Sequence, residues 1–380
     1  MKQALVIGGS NGIGMALSLQ LLENDYNVII ADRTEPDFDY NKNRVKYVQI
    51  NLLNDDYSFL EDCKHIDTLI ITAGFGRVTK FDTILEPEIS NSFQVNTISI
   101  IKILRFYLAK MQSENEFRCI VMGSISGIVS SPLFALYGAT KSALCNFIES
   151  LNIELEMKGS TNRILNVSPG SIKGTRFNGG ENNIAEIQSL AKEILNKASQ
   201  KETLFIPQYD EVFKNVINNY HTAPHEYGVH SYKYKMDSGR FNDKPQLKIG
   251  YLSGTFDLFH IGHLNLLRRA KQYCDYLVVG VHKDALHKGK ETFISFEERL
   301  EIVQSVKYVD KAIMSEREDC DVYLKGIVKY DYLFVGSDYK GTERFERYEK
   351  LFVDKDVKII YFPYTKCTSS TQLREGLSKL

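Results

Sequence analysis

The chain has 380 residues, 43% hydrophobic and 25% charged, with a formal net charge of −1. Such a length exceeds one ordinary core and predicts two domains of a soluble globular protein. The near-neutral charge argues against nucleic acid or a membrane surface as partner, so phosphate recognition has to come from local groups. The first residues read as a strand and not as a basic leader, and no apolar run approaches the ~20 residues of a spanning helix. The six cysteines are scattered without a C-x-x-C pair, which predicts reduced packing thiols, a cytoplasmic protein and no metal site.

Apolar runs at residues 4–7, 27–31, 47–50, 68–72, 119–122 and 164–167 alternate with stretches of helical period. That alternation predicts an α/β domain, a parallel sheet with helices on both faces. Directly after the first run stands Gly8-Gly9-Ser10-Asn11-Gly12-Ile13-Gly14. Glycines at this spacing permit a tight turn, let backbone approach a pyrophosphate, and let a helix pack closely on a strand. The helix that follows offers free N–H groups and a positive dipole end. Asp32 closes the second run, where a carboxylate can accept from a ribose hydroxyl, and Arg33 follows it. Asp32 favours NAD, Arg33 could pair with the extra phosphate of NADP, and both cofactors stay open with the balance toward NAD.

Further along come Asn96, Ser124 after the fifth run, and Tyr137-Gly138-Ala139-Thr140-Lys141 on a predicted helix. Tyr137 and Lys141 are four residues apart and project from one helix face. An ammonium near a phenol lowers the phenol's pKa, so Tyr137 can donate a proton to a carbonyl oxygen while Ser124 bonds the same oxygen. Taken alone the pair also suits an ordinary amphipathic helix.

The glycine set, Thr72-Ala73-Gly74, Asn96, Ser124, Tyr137-x3-Lys141 and Pro169-Gly170 resemble, in order and spacing, the short-chain dehydrogenase/reductase family over roughly residues 1–235. The resemblance implies a Rossmann fold, a nicotinamide cofactor, and a Ser124–Tyr137–Lys141 site supported by Asn96. It places the cofactor along Gly8, Ser10, Asn11, Gly12, Ile13, Gly14, Asp32, Arg33, Asn51, Leu52, Ala73, Gly74, Tyr137, Lys141, Pro169 and Gly170. Residues 171–198 fall where a substrate lid belongs. Lys173 and Arg176 in that lid, with Arg77 after Gly74, read either as grips for a substrate phosphate or as solvated loop charges.

Between residues 220 and 246 no clean period survives: three histidines, four tyrosines, Pro224, Pro245, Gly228 and Gly239 interrupt it. This reads as the end of the first domain at 235 and a linker over 236–246. Alternation resumes at 249–252, 276–281, 311–314, 332–335 and 358–362, which predicts a second, smaller parallel sheet over 247–380.

The second domain opens with Gly254-Thr255-Phe256-Asp257-Leu258-Phe259-His260-Ile261-Gly262-His263. Two imidazoles three residues apart at a helix start suit donors gripping one phosphate, with zinc as the competing ligand. The segment resembles the cytidylyltransferase branch of the HxGH nucleotidyltransferases, especially glycerol-3-phosphate cytidylyltransferase. The likeness continues through Lys288, Lys290, Phe296-Glu297-Glu298-Arg299 and Val335-Gly336-Ser337-Asp338. It implies that His260, His263 and Lys288 handle the reacting phosphates. Gly254, Thr255, Phe256, Arg299, Asp338, Thr368, Ser369 and Ser370 would hold CTP, with Mg²⁺ on the triphosphate. The family's closing Arg-Thr-Glu-Gly-Ile-Ser-Thr is altered here to Tyr364-Thr365-Lys366-Cys367-Thr368-Ser369-Ser370. Ser369-x-x-Gln372 also reads as a capping box.

Together these readings predict a bifunctional enzyme of CDP-polyol synthesis. The first domain would reduce a ketose phosphate with NADH or NADPH, and the second would join the product to CTP and release pyrophosphate. A teichoic-acid-like polymer or capsule is the expected destination, by family analogy. Two alternatives stand beside it: transfer first, with the reductase acting on the CDP-linked product or another alcohol, or a reductase-like domain serving only as a dimerisation or binding module. Small molecules are the expected partners, and both resemblances imply a homodimer or larger homo-oligomer.

Overall fold

The computed structural model describes residues 1–38, 41, 43–175, 177, 181–243, 247–286, 291–315, 318–363 and 372–374. The chain divides into two compact units, Met1–Pro245 and Gln246–Leu380. In the first unit the elements run β1 (Lys2–Ile7), α1 (Gly12–Glu23), β2 (Tyr26–Asp32), β3 (Val45–Gln49), β4 (Thr68–Ile71), α2 (Glu86–Phe93), α3 (Ser99–Phe106), α4 (Leu108–Met111), β5 (Arg118–Met122), α5 (Ala135–Met157), β6 (Ile164–Val167), α6 (Ile184–Ser199), β7 (Leu204–Phe205), α7 (Lys214–Thr222) and α8 (Pro224–Asp237).

The seven strands are parallel, in the order β3-β2-β1-β4-β5-β6-β7. Both faces are buried, which is why the strands read as continuous apolar runs. Leu5 and Ile7 lie on one face with Leu69, Ile71 and Val121, covered by Ile100, Ile103, Leu144 and Ile148 of α3 and α5. Ala4 and Val6 lie on the other with Ile70 and Ile120, covered by Ala16, Leu17, Ile187 and Ala191 of α1 and α6. Each such side chain contributes about 1.5–3 kcal/mol. The strand order reverses between β1 and β4, so the loops after their carboxyl ends diverge and leave a crevice.

Two features escaped the periodicity. β7 is only two residues long, and Leu204 is exposed. The segment read as irregular carries α8, and beyond it Phe241 forms a bridge with Val78 while the Asn242 amide donates to the Val78 carbonyl at 2.9 Å. The inward residues of α8 include Gly228, Ser231 and Lys235, so no apolar stripe announced a helix.

The second unit contains β8 (Ile249–Gly254), α9 (Ile261–Tyr273), β9 (Tyr276–His282), α10 (Phe296–Gln304), β10 (Lys311–Ser315), α11 (Asp319–Leu324), β11 (Tyr332–Gly336), α12 (Glu343–Phe352) and β12 (Lys358–Phe362). Its parallel sheet runs β10-β9-β8-β11-β12, with the reversal between β8 and β11. Leu252, Leu277, Val279 and Val281 pack beneath Leu267 and Val303, and Tyr251, Val278 and Leu333 beneath Phe345 and Tyr348. Cys63, Cys119, Cys145, Cys274 and Cys320 are buried free thiols, and Cys367 lies outside the described residues. Among the described residues no helix is long and apolar enough to cross a membrane.

Arg77, weighed above as a phosphate grip, is committed to the scaffold. It bonds both carboxylate oxygens of Glu88 at 3.0 Å and donates to the carbonyls of Thr83 and Asn242 at 3.0 and 2.8 Å. Both side chains of the pair are buried, so Arg77→Met should cost about 3–5 kcal/mol by stranding Glu88. A lowered urea midpoint of the first unit is the expected reading; an unchanged midpoint would return Arg77 to the surface charges.

Candidate active sites

The first crevice is built by close backbone approach. Gly8 has φ +86°, and a Cβ there would stand 2.5 Å from the Ala73 amide nitrogen; one on Gly14 would collide with the Gly8 carbonyl. Only glycine permits both contacts, and they press the start of α1 onto the loop after β4. Asn11 and Ile13 flank Gly12, whose amide donates to Asn182 Oδ1 at 2.8 Å. Asp32 is held in place, its Oδ2 accepting from the Ser10 amide at 3.0 Å and its Oδ1 from the Arg33 amide at 2.6 Å. Asn51 caps a short turn that begins at the buried Leu52, and its Nδ2 is buried with no hydrogen-bond partner among the described residues. This glycine cradle, fixed carboxylate and orphaned amide nitrogen fit a dinucleotide.

Asn96 sits in a π-helical turn, Gln94–Ile98, between α2 and α3. Such a turn carries one residue beyond the α-helical register and is frequent at functional sites. The fully buried Asn96 accepts from the Phe75 amide at 3.0 Å and donates to the Phe75 carbonyl at 2.8 Å and to Thr140 Oγ1 at 3.1 Å. It thereby clamps the loop after β4 to α5, one residue from Lys141. Ser124, in extended backbone after β5, caps the turn Ile125–Gly127 by accepting from the Ser126 amide at 3.1 Å.

Tyr137 and Lys141 lie together on α5, with the Lys141 ammonium 5.8 Å from the Tyr137 ring centroid. The Tyr137 ring stacks on Phe134 at 4.3 Å and meets Phe177 at 5.3 Å. The expected lowering of the Tyr137 pKa is reversed here. Burial pushes the phenol well above its ordinary value, against a smaller pull from its hydrogen bond with Ser124. Lys141 also departs from the simple picture: burial drops it from 10.5 to about 8, and its Nζ donates to the Met122 carbonyl at 2.8 Å. In the enclosed pocket desolvation outweighs the attraction between the two groups. Tyr137 is therefore held in its protonated form, a hydroxyl that can donate a hydrogen bond to an oxygen.

The second crevice lies past β8. Phe256 and Leu258 take left-handed φ values of 53° and 49° between Thr255 and His260, a strain on the order of 1–3 kcal/mol per residue. His260 is the N-cap of α9. Its Nδ1 accepts from the Gly262 amide at 3.1 Å, and His263 Nδ1 accepts from the His260 amide at 3.4 Å. A ring nitrogen that accepts from an amide carries no proton, so each neutral imidazole holds its proton on Nε2. Burial lowers the His260 pKa, which keeps that ring neutral. The two rings stack at 3.9 Å, and Phe256 and Phe259 flank His263 at 5.3 and 5.4 Å. The result is a pair of adjacent N–H donors over a helix N-terminus. Thr255 Oγ1 nearby is buried with no hydrogen-bond partner among the described residues, which fits a phosphate oxygen.

Arg299 was expected at the nucleotide. It is instead fully buried and donates to the carbonyls of Ile294, Thr255, His282 and Lys283 at 2.5–3.0 Å. It ties the loops after β8 and β9 together and acts on the crevice only through them. Gly254 closes β8, and Asp338 is exposed after β11, across the strand reversal from Thr255. Pro169 and Gly170 follow β6, next to the ring of Phe213. Lys173 is exposed, while Arg176, Lys288, Lys290, Thr368, Ser369 and Ser370 lie outside the described residues.

Two residues were missed. Asp257, quoted only as part of a motif, is buried and accepts from the Phe293 and Ile294 amides at 3.0–3.1 Å and from Arg374. Arg374 carried no signal beyond its charge; it also lies 4.9 Å over the Phe293 ring. Among the described residues no three His, Cys, Asp or Glu side chains gather as a metal site.

Residues 2–184 match the short chain dehydrogenase family model, and residues 251–376 match the cytidylyltransferase-like one. The chain is 36% identical over 132 residues to the glycerol-3-phosphate cytidylyltransferase of Bacillus subtilis, covering 33% of this chain and 95% of that protein. It is 24% identical over 211 residues to the very-long-chain 3-oxoacyl-CoA reductase of Aspergillus niger, covering 51% of this chain and 61% of that protein. A short chain dehydrogenase/reductase of Burkholderia phymatum, solved in complex with NAD, shares the fold at 14% identity and TM-score 0.50, over 58% of this chain and 93% of that one.

The depressed Lys141 has a consequence for stability. Between pH 8 and 10.5 the unfolded chain holds a proton on Lys141 that the folded chain does not, so the contribution of Lys141 to the stability of the first unit rises with pH through that window. The buried thiols and phenols of the same unit, whose pKa values are raised, act with the opposite sign. Lys235, also lowered to about 8, adds a share of the same sign as Lys141. The slope of the urea midpoint against pH from 7.5 to 10 is expected to be lower in Lys141→Met than in the native chain, whatever the sign of the native slope; equal slopes would refute the buried-cation account.

Proposed function

The chain joins a short-chain dehydrogenase to a cytidylyltransferase-like protein, and on that premise we propose that it makes a CDP-alditol from a ketose phosphate and CTP. What carries the reading is one chain holding both a complete carbonyl-reducing set and a paired imidazole grip for phosphate. A phosphorylated polyol is the molecule that both would handle: the product of a reduction and the acceptor of a CMP group.

In the first unit the glycine cradle around Gly8 and the carboxylate of Asp32 would hold a nicotinamide cofactor, which would supply hydride to the carbonyl carbon. Tyr137 gives its hydroxyl proton to the carbonyl oxygen, and Ser124 orients that oxygen. Asn96 fixes α5 against the cofactor loop, so the phenol stays in register with the site. Asp32, fixed by two amides, is a ready acceptor for a ribose hydroxyl and repels a phosphate there, which favours NAD over NADP.

In the second unit a phosphate oxygen of the polyol phosphate attacks the α-phosphorus of CTP. The new phosphorus–oxygen bond forms as the bond to pyrophosphate breaks. His260 and His263 donate through Nε2–H to the phosphate oxygens where charge grows. Mg²⁺ would accompany the triphosphate, as it commonly does with nucleotide substrates. Reduction before transfer is the order proposed, and a cell-surface polymer is the proposed destination of the CDP-alditol.

Incubating the full chain with NADH, CTP and a panel of ketose phosphates is expected to yield pyrophosphate and a CDP-alditol, read by mass spectrometry. Cofactor oxidation without any cytidine product, across all ketose phosphates, would contradict the proposal. Tyr137→Phe should abolish cofactor oxidation and leave transfer to a supplied polyol phosphate intact. His263→Ala should do the converse, lowering transfer about 10²–10³-fold, the usual cost of removing one such donor.

A further inference from the structure

The shielded face of helix α8 is largely polar. Its shielded stripe is Tyr227, Gly228, Ser231 and Lys235, continued by Ser238, while Val229, Tyr232 and Met236 stand outside with 38–43% of their surface exposed. A helix packed on a core turns its apolar residues inward. A polar inner face suits a wet cavity instead, because a buried polar group needs a partner.

The cavity this face would border is the reductase pocket. Gly228 lies against Pro132, and Phe134, two residues on, stacks on Tyr137 at 4.3 Å. Past the end of the helix, Phe241 bridges to Val78, and Gly76 in the same loop lies against the Tyr137 ring. The segment from Gly228 to Phe241 is thus pinned at both ends to the two loops that enclose the reacting phenol. Lys235 stands between those pins.

Lys235 is 9% exposed, and its Nζ donates to Ser231 Oγ at 2.9 Å. Among the described residues that is the only acceptor it meets, out of three N–H donors, and no carboxylate pairs with it. Burial, and next the charge of Arg240, pull the ammonium down to about 8. The Arg240 guanidinium donates only through its Nε among the described residues, to Ser238 Oγ at 3.2 Å, where the Arg240 amide also donates at 3.4 Å, and it lies 5.6 Å over the Tyr234 ring. Buried cations are ordinarily matched by carboxylates or carbonyls, as Arg77 and Arg299 are. Two neighbouring cations without such a match leave donors for an external anion.

We infer that Lys235, with Arg240 beside it, is the anion subsite of the reductase unit, holding the phosphate of a ketose phosphate whose carbonyl meets Tyr137. This rests on the reading that the ketone is phosphorylated. Neither residue belongs to the hydride-transfer set, so the subsite would govern substrate affinity and not the chemical step.

The test uses the full chain, a ketose phosphate turned over by the native protein, and inorganic phosphate as an independent probe. Lys235→Gln should raise KM for the ketose phosphate about 10- to 100-fold, the loss expected for a charged hydrogen bond, with kcat little changed. Inhibition of the reductase by inorganic phosphate should weaken in parallel, and Lys235→Arg should restore most of both. Arg240→Gln, at a half-buried position, should show a smaller rise in KM and serves should Lys235→Gln fail to fold. Cytidylyl transfer should be unaffected throughout. Unshifted KM and unshifted phosphate inhibition in folded variants would overturn the subsite while leaving the proposed reaction in place. A native protein that reduces only unphosphorylated ketones would overturn that reaction and the subsite with it.

Discussion

Everything chemical in this molecule depends on one topological constraint. In a parallel sheet wound in both directions from its centre, the two central strands send their connections to opposite faces, and a crevice opens beyond their carboxyl ends. Here that happens twice, between β1 and β4 and between β8 and β11. Backbone amides at those ends have no strand partner, so they are free to hold ligands or to orient side chains that do. The glycine cradle around Gly8 occupies the first crevice edge, and the stacked histidines occupy the second.

Burial then sorts the cations into two kinds. Arg77 and Arg299 look like ligand-binding arginines in the sequence, yet each has spent its donors within its own unit, on Glu88 and on backbone carbonyls. They fix loops. Lys141 and Lys235 are equally buried but keep donors to spare, and their depressed pKa values record that desolvation is not offset. A protein retains such a destabilising group where a ligand completes it. The same logic explains Tyr137, which desolvation holds in its protonated form; in the two imidazoles, Nδ1 accepts from a backbone amide, which leaves the proton of the neutral ring on Nε2.

How much of this was legible beforehand varies with the range of the interaction. Strands of the two sheets leave apolar runs, so among the described residues eleven of them were readable from composition and spacing, and the two-residue β7 was lost. Glycines required by close approach, the i,i+4 pairing of Tyr137 with Lys141, and the i,i+3 pairing of His260 with His263 are local, and local geometry follows from spacing. α8 was unreadable because its inner face is polar. The Asp257–Arg374 pair spans 117 residues and leaves no local trace.

The sequence by itself determined the two fold types, the order of the chemical motifs, and which side chains share a helix face, since all of these follow from fixed helical and strand periods. Tertiary structure decided charge states and roles. Whether Tyr137 is raised or lowered, whether Arg77 grips substrate or Glu88, and whether Lys235 is exposed or buried depend on desolvation and on partners distant in the chain. Those are sums over three-dimensional surroundings, and spacing along a sequence does not contain them.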